Sequence, residues 1–237
     1  MSFYGFCHTT FPWLFKLWLR WEVRGTENIP REGKVVLAAN HISLLDPPTI
    51  GAACPRPVHF MAKEELFRNP VFAFLIRHLG VFPVRRGGAD REAIKTGLGV
   101  LKRGGVLAIF PEGTRSKTGA LGRAGGGALM MAAKTKAVLI PTAIWGSDLK
   151  RHKGWPKVRI LFGEPLAYDA DGGIGRENLE DIGEEWRRRI LELQRQLVPP
   201  EERERFEALT AAAEEALRKR LARPAATETK QGGPDPR

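Results

Sequence analysis

The sequence predicts an α/β fold: a single domain with a largely parallel or mixed central sheet flanked by helices. Three observations predict it. Short apolar runs at residues 35–39, 106–110 and 137–144 lack polar alternation, which is the pattern of strands covered on both faces. Between them lie segments of helical spacing, at about 90–103 and 177–197. A chain of 237 residues accommodates one such domain with a sizeable core and a tail, whereas two domains would be tight.

At the N-terminus, Phe11 to Trp21 is a run of eleven mostly bulky apolar residues. Spanning a bilayer takes roughly twenty, and the run lacks a basic leader and a small-residue cleavage site. As a helix it sets Lys16, Arg20 and Arg24 on one face at i, i+4 and i+8, with Trp13, Phe15, Leu17 and Trp18 around the remainder. Residues 1–24 are therefore expected to form an interfacial amphipathic helix, its rings at headgroup depth and its cations toward an anionic leaflet. Docking on the protein's own core is the alternative. The formal net charge is +11, and residues 199–237 hold eight acidic and eight basic side chains, so the excess lies in residues 1–198. That portion seeks anions, and nucleic acid, an anionic membrane or a phosphorylated substrate would each satisfy it. Cys7 and Cys54 are the only cysteines; they make no disulfide framework and suit a reducing compartment.

After a turn at Glu32-Gly33, the first apolar run leads into Asn40-His41-Ile42-Ser43-Leu44-Leu45-Asp46 and then Pro47-Pro48. The run reads as a strand ending in a loop, with a proline opening the next helix. His41 thus falls at the carboxyl end of a strand, where open α/β sheets hold ligands. An imidazole can take a proton from a hydroxyl, and a carboxylate a few residues on can hold its tautomer and stabilise the imidazolium. A short helix is expected over 48–54 and a strand over 58–62. Asn69-Pro70 caps an apolar helix from Val71 that either joins the core or walls an acyl-chain groove.

Gly80 to Val84 reads as a third strand running into Arg85-Arg86-Gly87-Gly88, and a guanidinium beside glycines makes a good phosphate fork. Asp90 caps the following helix, which buries Ile94, Leu98 and Leu101 and ends at Gly104-Gly105. The strand at 106–110 leaves through Pro111-Glu112-Gly113-Thr114-Arg115-Ser116. Gly113 permits close backbone approach there, and Glu112 beside a buried strand is costly unless paired or bound to substrate. The loop at 117–127 matches no phosphate-binding fingerprint, and it enters a helix before the strand at 137–144.

Lys150 to Arg159 interleaves cations with Trp155 and reads as a solvated hairpin or an anion contact. A last strand covers 158–162. Leu179, Ile182, Trp186, Ile190, Leu193 and Leu197 then follow helical spacing and close the domain. After Pro199-Pro200 an exposed charged helix runs to about 221 and disorder follows. No G-x-S-x-G elbow and no H-E-x-x-H occurs, which disfavours a serine hydrolase and a zinc enzyme.

Four blocks stand in a fixed order: His41 to Asp46, Gly80 to Arg86, Phe110 to Ser116, and Leu139 to Ile144 with Pro141. Together they resemble the phospholipid/glycerol acyltransferase family, in particular its bacterial 1-acylglycerol-3-phosphate members; Thr142 departs from that pattern by standing where an apolar residue is usual. The resemblance covers residues 34–146 and extends toward 198. It implies a glycerol-3-phosphate acyltransferase-like fold over 25–198, with 199–237 as a tail. It further implies transfer of a fatty acyl group from an acyl-CoA or acyl carrier protein thioester to the sn-2 hydroxyl of lysophosphatidate, giving phosphatidate. His41 and Asp46 are the implied catalytic pair, acting without metal, cofactor or acyl-enzyme. Asn40, Arg86, Glu112, Gly113, Thr114 and Arg115 are the implied substrate-binding residues. Arg86 takes the acceptor phosphate, with Arg85 in its place if the register shifts by one. Glu112 orients the acceptor or neighbouring arginines, and the amides near Gly113 and Thr114 face the oxyanion. The implied partners are a lysophospholipid, the thioester donor and an anionic membrane at the cytoplasmic face of the cell membrane, and no nucleic acid. Another lysophospholipid or glycerol 3-phosphate is the alternative acceptor, and a non-catalytic basic membrane-binding protein is the alternative of another class.

Overall fold

Strand β2 (Val35–Ala39) is buried at all five positions, and its side chains divide by parity. Val36 and Ala38 enter one apolar core, Val35, Leu37 and Ala39 the other, as the two-residue period of a strand covered on both faces requires. The computed structural model describes residues 3–85, 90–149, 156–169 and 175–222. Around β2 it builds a seven-stranded sheet from β1 (Glu22–Arg24), β3 (Val58–Lys63), β4 (Val81–Val84), β5 (Val106–Ile109), β6 (Val138–Trp145) and β7 (Arg159–Phe162). The order is β1-β7-β6-β2-β5-β3-β4, and every neighbouring pair is parallel except β6 with β7. β2 lies at the centre between β5 and β6, so the carboxyl ends of these three strands meet at one edge.

Seven α-helices are described: α1 (Phe3–Trp18), α2 (Asp46–Ala53), α3 (Pro70–His78), α4 (Arg91–Lys102), α5 (Gly126–Thr135), α6 (Arg176–Leu197) and α7 (Arg203–Ala222). The core of α4, α5 and α6 takes Leu101, Leu129, Ile182, Trp186 and Ile190. The opposite core takes Ile50 of α2 together with Leu19 and Phe15. Asn69 caps α3 by accepting from the Phe72 amide, and Asp90 caps α4 by accepting from those of Glu92 and Ala93. Pro141 has no N–H for the ladder, while the Ala38 carbonyl at its level accepts the Trp186 indole N–H at 3.0 Å.

Several expectations shift. α1 begins at Phe3 and ends at Trp18, before Arg20, whose φ is +43°. Arg24 lies in β1, so Lys16, Arg20 and Arg24 do not form one helical face. The chain turns because residues 22–24 pair in register with β7, and the expected boundary after residue 24 falls on a strand of the sheet. Gly25 follows with φ +79°, and a Cβ there would lie 1.9 Å from the Phe162 carbonyl oxygen, so the turn into the sheet demands glycine. On α4 the buried face is Ala93, Gly97, Val100 and Leu101, with Ile94 and Leu98 half-buried; a Cβ on Gly97 would meet Met131 at 2.9 Å, so the helix approaches its neighbour along its small residues. The final helix is docked rather than merely exposed: Phe206 and Thr210 are buried, Phe206 meets Trp145 edge-to-face with centroids 5.5 Å apart, and Arg195 pairs with Glu207. The disorder expected beyond 221 and the hairpin around Trp155 fall largely outside the described residues.

Candidate active site

β2 delivers His41 two residues past its last ladder position, and the loop closes when Asp46 starts α2 with Pro47 and Pro48 in its first turn. Four donors converge on the Asp46 carboxylate, which is fully buried. Its Oδ2 accepts from His41 Nδ1 at 2.7 Å and from the Ile42 and Ser43 amides at 2.7 and 2.8 Å. Its Oδ1 accepts from Ser147 Oγ at 2.5 Å. A buried charge is tolerable only when held this way. The bond at Nδ1 places the proton there and leaves Nε2 as the basic nitrogen. His41 is 13% exposed in its side chain and stacks on Phe110, with centroids 4.0 Å apart and planes at 20°.

Glu112, just beyond β5, ties the loop from the other side. Its Oε1 accepts from the His41 backbone N–H at 2.8 Å and its Oε2 from the Gly122 amide at 2.9 Å. Burial pushes the Glu112 carboxyl above its ordinary range, against the two amides and His41, and the Asp46 charge adds to the rise. The Ser116 amide donates to the His41 carbonyl at 2.7 Å. His41 is therefore fixed at its ring by Asp46 and at its N–H and C=O by Glu112 and Ser116 of the turn after β5.

The other expected residues fare differently. Asn40 is 1% exposed, and both ends of its amide bond the backbone of Ile144, at 3.0 and 2.8 Å. In the structure it clamps β2 to β6. Glu112 accepts from the His41 and Gly122 amides. The Gly113 amide donates to the Phe110 carbonyl at 2.9 Å inside the turn, so of the two oxyanion candidates only Thr114 keeps that option. Thr114 and Arg115 are exposed on the same turn. Arg86 lies outside the described residues. Arg85, its substitute, is exposed and pairs with Glu64 at 3.2 Å.

Ser147 and Ser116 are the site residues the sequence reading missed. Gly146-Ser147-Asp148 is a polar turn directly after an apolar strand, the same signal that marks the ends of β2 and β5. Among the described residues, no group of three His, Cys, Asp or Glu is placed to hold a metal ion.

The chain is similar to known proteins. The family model for Acyltransferase matches residues 20–145. A 1-acyl-sn-glycerol-3-phosphate acyltransferase of Bacillus subtilis is 34% identical over 201 residues, which is 82% of this chain and 98% of the relative. A lyso-ornithine lipid O-acyltransferase of Pseudomonas aeruginosa is 37% identical over 136 residues, 56% of this chain and 51% of the relative. Among solved structures, the 1-acyl-sn-glycerophosphate (LPA) acyltransferase PlsC of Thermotoga maritima superposes with a TM-score of 0.65 at 33% identity, covering 81% of this chain and 79% of that one. With its central strand and histidine loop inside the matched region, the chain belongs to the acyltransferase family.

Proposed function

We propose that this acyltransferase moves a fatty acyl group from an acyl-CoA or acyl carrier protein thioester to the sn-2 hydroxyl of lysophosphatidate, giving phosphatidate. The observation that carries the reading is the His41 Nδ1 to Asp46 contact of 2.7 Å in a loop held from three sides. His41 Nε2 takes the proton of the acceptor hydroxyl as its oxygen attacks the thioester carbonyl. The tetrahedral intermediate collapses with loss of the thiolate, which receives the proton from the imidazolium, so no acyl-enzyme forms. Asp46 stabilises the imidazolium through both steps, and Thr114 offers an amide to the oxyanion. Arg86 and Arg115 supply cations for the acceptor phosphate, and relatives named for lysophosphatidate acylation support that acceptor. A second acceptor reading, a different lysolipid, is favoured by the match to the lyso-ornithine lipid enzyme.

The enzyme acts at the cytoplasmic face of the cell membrane. Among the described residues no helix is long and apolar enough to cross a bilayer. α1 instead exposes Trp13 and Leu17 at 74% and 79%, and α3 exposes Val71 and Phe74 at 78% and 64%. The Phe3 ring meets His78 at 6.1 Å, which brings the start of α1 to the end of α3, and exposed apolar side chains of this kind suit lipid.

Acylation of lysophosphatidate, lyso-ornithine lipid and glycerol 3-phosphate by purified wild type and His41→Ala tests the reading, with thiol release and product lipid as readouts. A folded His41→Ala that loses several orders of magnitude supports it. Wild type inactive with every acceptor and both donors, yet bound to anionic vesicles, sinks it in favour of a basic membrane-binding protein.

A further inference from the structure

Ser147 is fully buried and takes no part in the proton transfers written above. It stands two residues past the end of β6, where Gly146 turns the chain at φ +79°, a conformation that favours glycine. Its Oγ donates to Oδ1 of Asp46 at 2.5 Å, whereas His41 and the two loop amides share Oδ2. Three side chains from two strand ends thus form one hydrogen-bonded chain, from His41 Nδ1 through Asp46 to Ser147. The place of Ser147 is set independently of that bond. Three residues earlier, both backbone groups of Ile144 bond the side chain of Asn40, the residue before His41, at 3.0 and 2.8 Å. β6 also pairs in register with β2 as far as Ala39 opposite Thr142. The strand that carries the hydroxyl is therefore clamped to the strand that carries the imidazole, next to the carboxylate they share.

We propose that Ser147 is a positioning residue for acyl transfer: through Asp46, its hydroxyl holds the carboxylate in the rotation that meets the His41 ring and tempers the charge presented to Nδ1–H. This deepens the function proposed above and rests on its His41 base. The two backbone amides on Oδ2 cap the loop with or without Ser147, so what the hydroxyl adds falls on the plane of the carboxylate and on its charge. Hydrogen bonds to an ionised carboxylate favour that form. Without the Ser147 donor, Asp46 draws the shared Nδ1 proton more strongly, and its unpaired Oδ1 no longer fixes the rotation about Cβ–Cγ. Glu112, the other carboxylate at the loop, meets His41 at its backbone N–H, and that contact stays in place.

The test uses the full chain and two variants. Ser147→Ala removes the hydroxyl at nearly unchanged volume, and Ser147→Cys puts a weaker S–H donor in its place; thermal melts check that both fold. The first readout needs no turnover: the far-downfield proton resonance of His41 Nδ1–H, assigned by its absence from His41→Ala. It is expected to move further downfield in Ser147→Ala, and by a smaller step in Ser147→Cys. The second readout is lysophosphatidate acylation. There kcat is expected to fall about three- to tenfold in Ser147→Ala, as for one lost hydrogen bond, and less in Ser147→Cys, with KM for donor and acceptor unmoved. A resonance at the wild-type position in both variants overturns the proposal, as does a loss carried by KM or a lower Tm with kcat unchanged. If wild type transfers no acyl group while the resonance moves in the stated order, the three-residue chain stands and the proposed reaction fails. If wild type is active and both variants match it in resonance and kcat, the role of Ser147 is refuted and the reaction stands.

Discussion

Asp46→Asn isolates the charge of the proposed catalytic pair, because the geometry fixes how the new amide must sit. If the NH2 took the Oδ2 position, it would face the Ile42 and Ser43 amides and the His41 Nδ1 proton, all donors. At the Oδ1 position it faces only the Ser147 hydroxyl, which can rotate to accept. The amide oxygen therefore stays among the three donors, and the His41 tautomer survives. What disappears is the negative charge. Charge-assisted hydrogen bonds are worth about 1 kcal/mol more than neutral ones, so two downgraded backbone bonds cost about 2 kcal/mol, partly offset by relief of a buried charge. For a chain of this size, a net 1–2 kcal/mol lowers Tm by about 3–6 °C. Loss of imidazolium stabilisation removes about 2–3 kcal/mol from the transition state, or about 30- to 150-fold in kcat. Adding Ser147→Ala takes away the only acceptor for the new NH2, and the double variant should fall more than additively. The assay is lysophosphatidate acylation at saturating donor, with melts run alongside. A Tm drop of this size with kcat within threefold of wild type would falsify the assignment and leave Asp46 as a loop cap alone.

Three further expectations follow from the same structure. Because burial raises the Glu112 carboxyl in the folded state, its contribution to stability is full below the unfolded value of about 4.3 and is lost as pH rises through the higher folded value. The Tm advantage of wild type over Glu112→Gln should accordingly shrink from about pH 4 toward neutrality, and an advantage that grows with pH contradicts the sign. Burial pushes the Cys54 thiol up to about 11 and raises Cys7 as well, so native protein at neutral pH should resist iodoacetamide at both sites while denatured protein reacts at both; fast native labelling of Cys54 means that α1 does not stay seated on it. Trp13→Ala with Leu17→Ala removes two exposed apolar side chains of α1, each worth up to about 1.5–3 kcal/mol when buried in lipid, and flotation with anionic vesicles should weaken more than tenfold, an unchanged partition being evidence against membrane docking through that face.

How much was legible in the sequence depended on whether a signal was local. Strands β2, β5 and β6 announced themselves because buried parallel strands are continuous apolar runs, and α3 and α4 because Asn69 and Asp90 cap them. β1 did not: Glu22-Val23-Arg24 has neither apolar continuity nor length, and it is a strand only because β7 lies alongside, more than 130 residues later in the chain. Helical spacing extended through Trp18 into Arg20 and Arg24 overlooked that pairing. His41 and Asp46 could be read because six consecutive residues contain both partners. Asn40, Glu112 and Ser147 could be noticed or missed as residue types, but their partners are set by sheet order, which places β5 and β6 on either side of β2.

That sheet order also explains why two carboxylates can adjoin one histidine without competing for it. Each flanking strand end contributes one reinforcement: β5 leads to Glu112, and β6 leads to Ser147. Asp46 takes the imidazole, while Glu112 takes the backbone N–H of the same residue and turns its other oxygen to Gly122. The ring therefore sees one hydrogen-bonded carboxylate, and the second fixes the main chain beneath it. The Asp46 charge helps hold the Glu112 carboxyl above its ordinary range, so a second full charge beside the first is opposed by the arrangement itself. This division of labour between ring and backbone fixes the position of the proposed base. The two variants should therefore fail differently: Asp46→Asn chiefly in kcat, and Glu112→Gln in the precision with which His41 is held, seen as a lower kcat that recovers partially at reduced temperature, where the loop is stiffer.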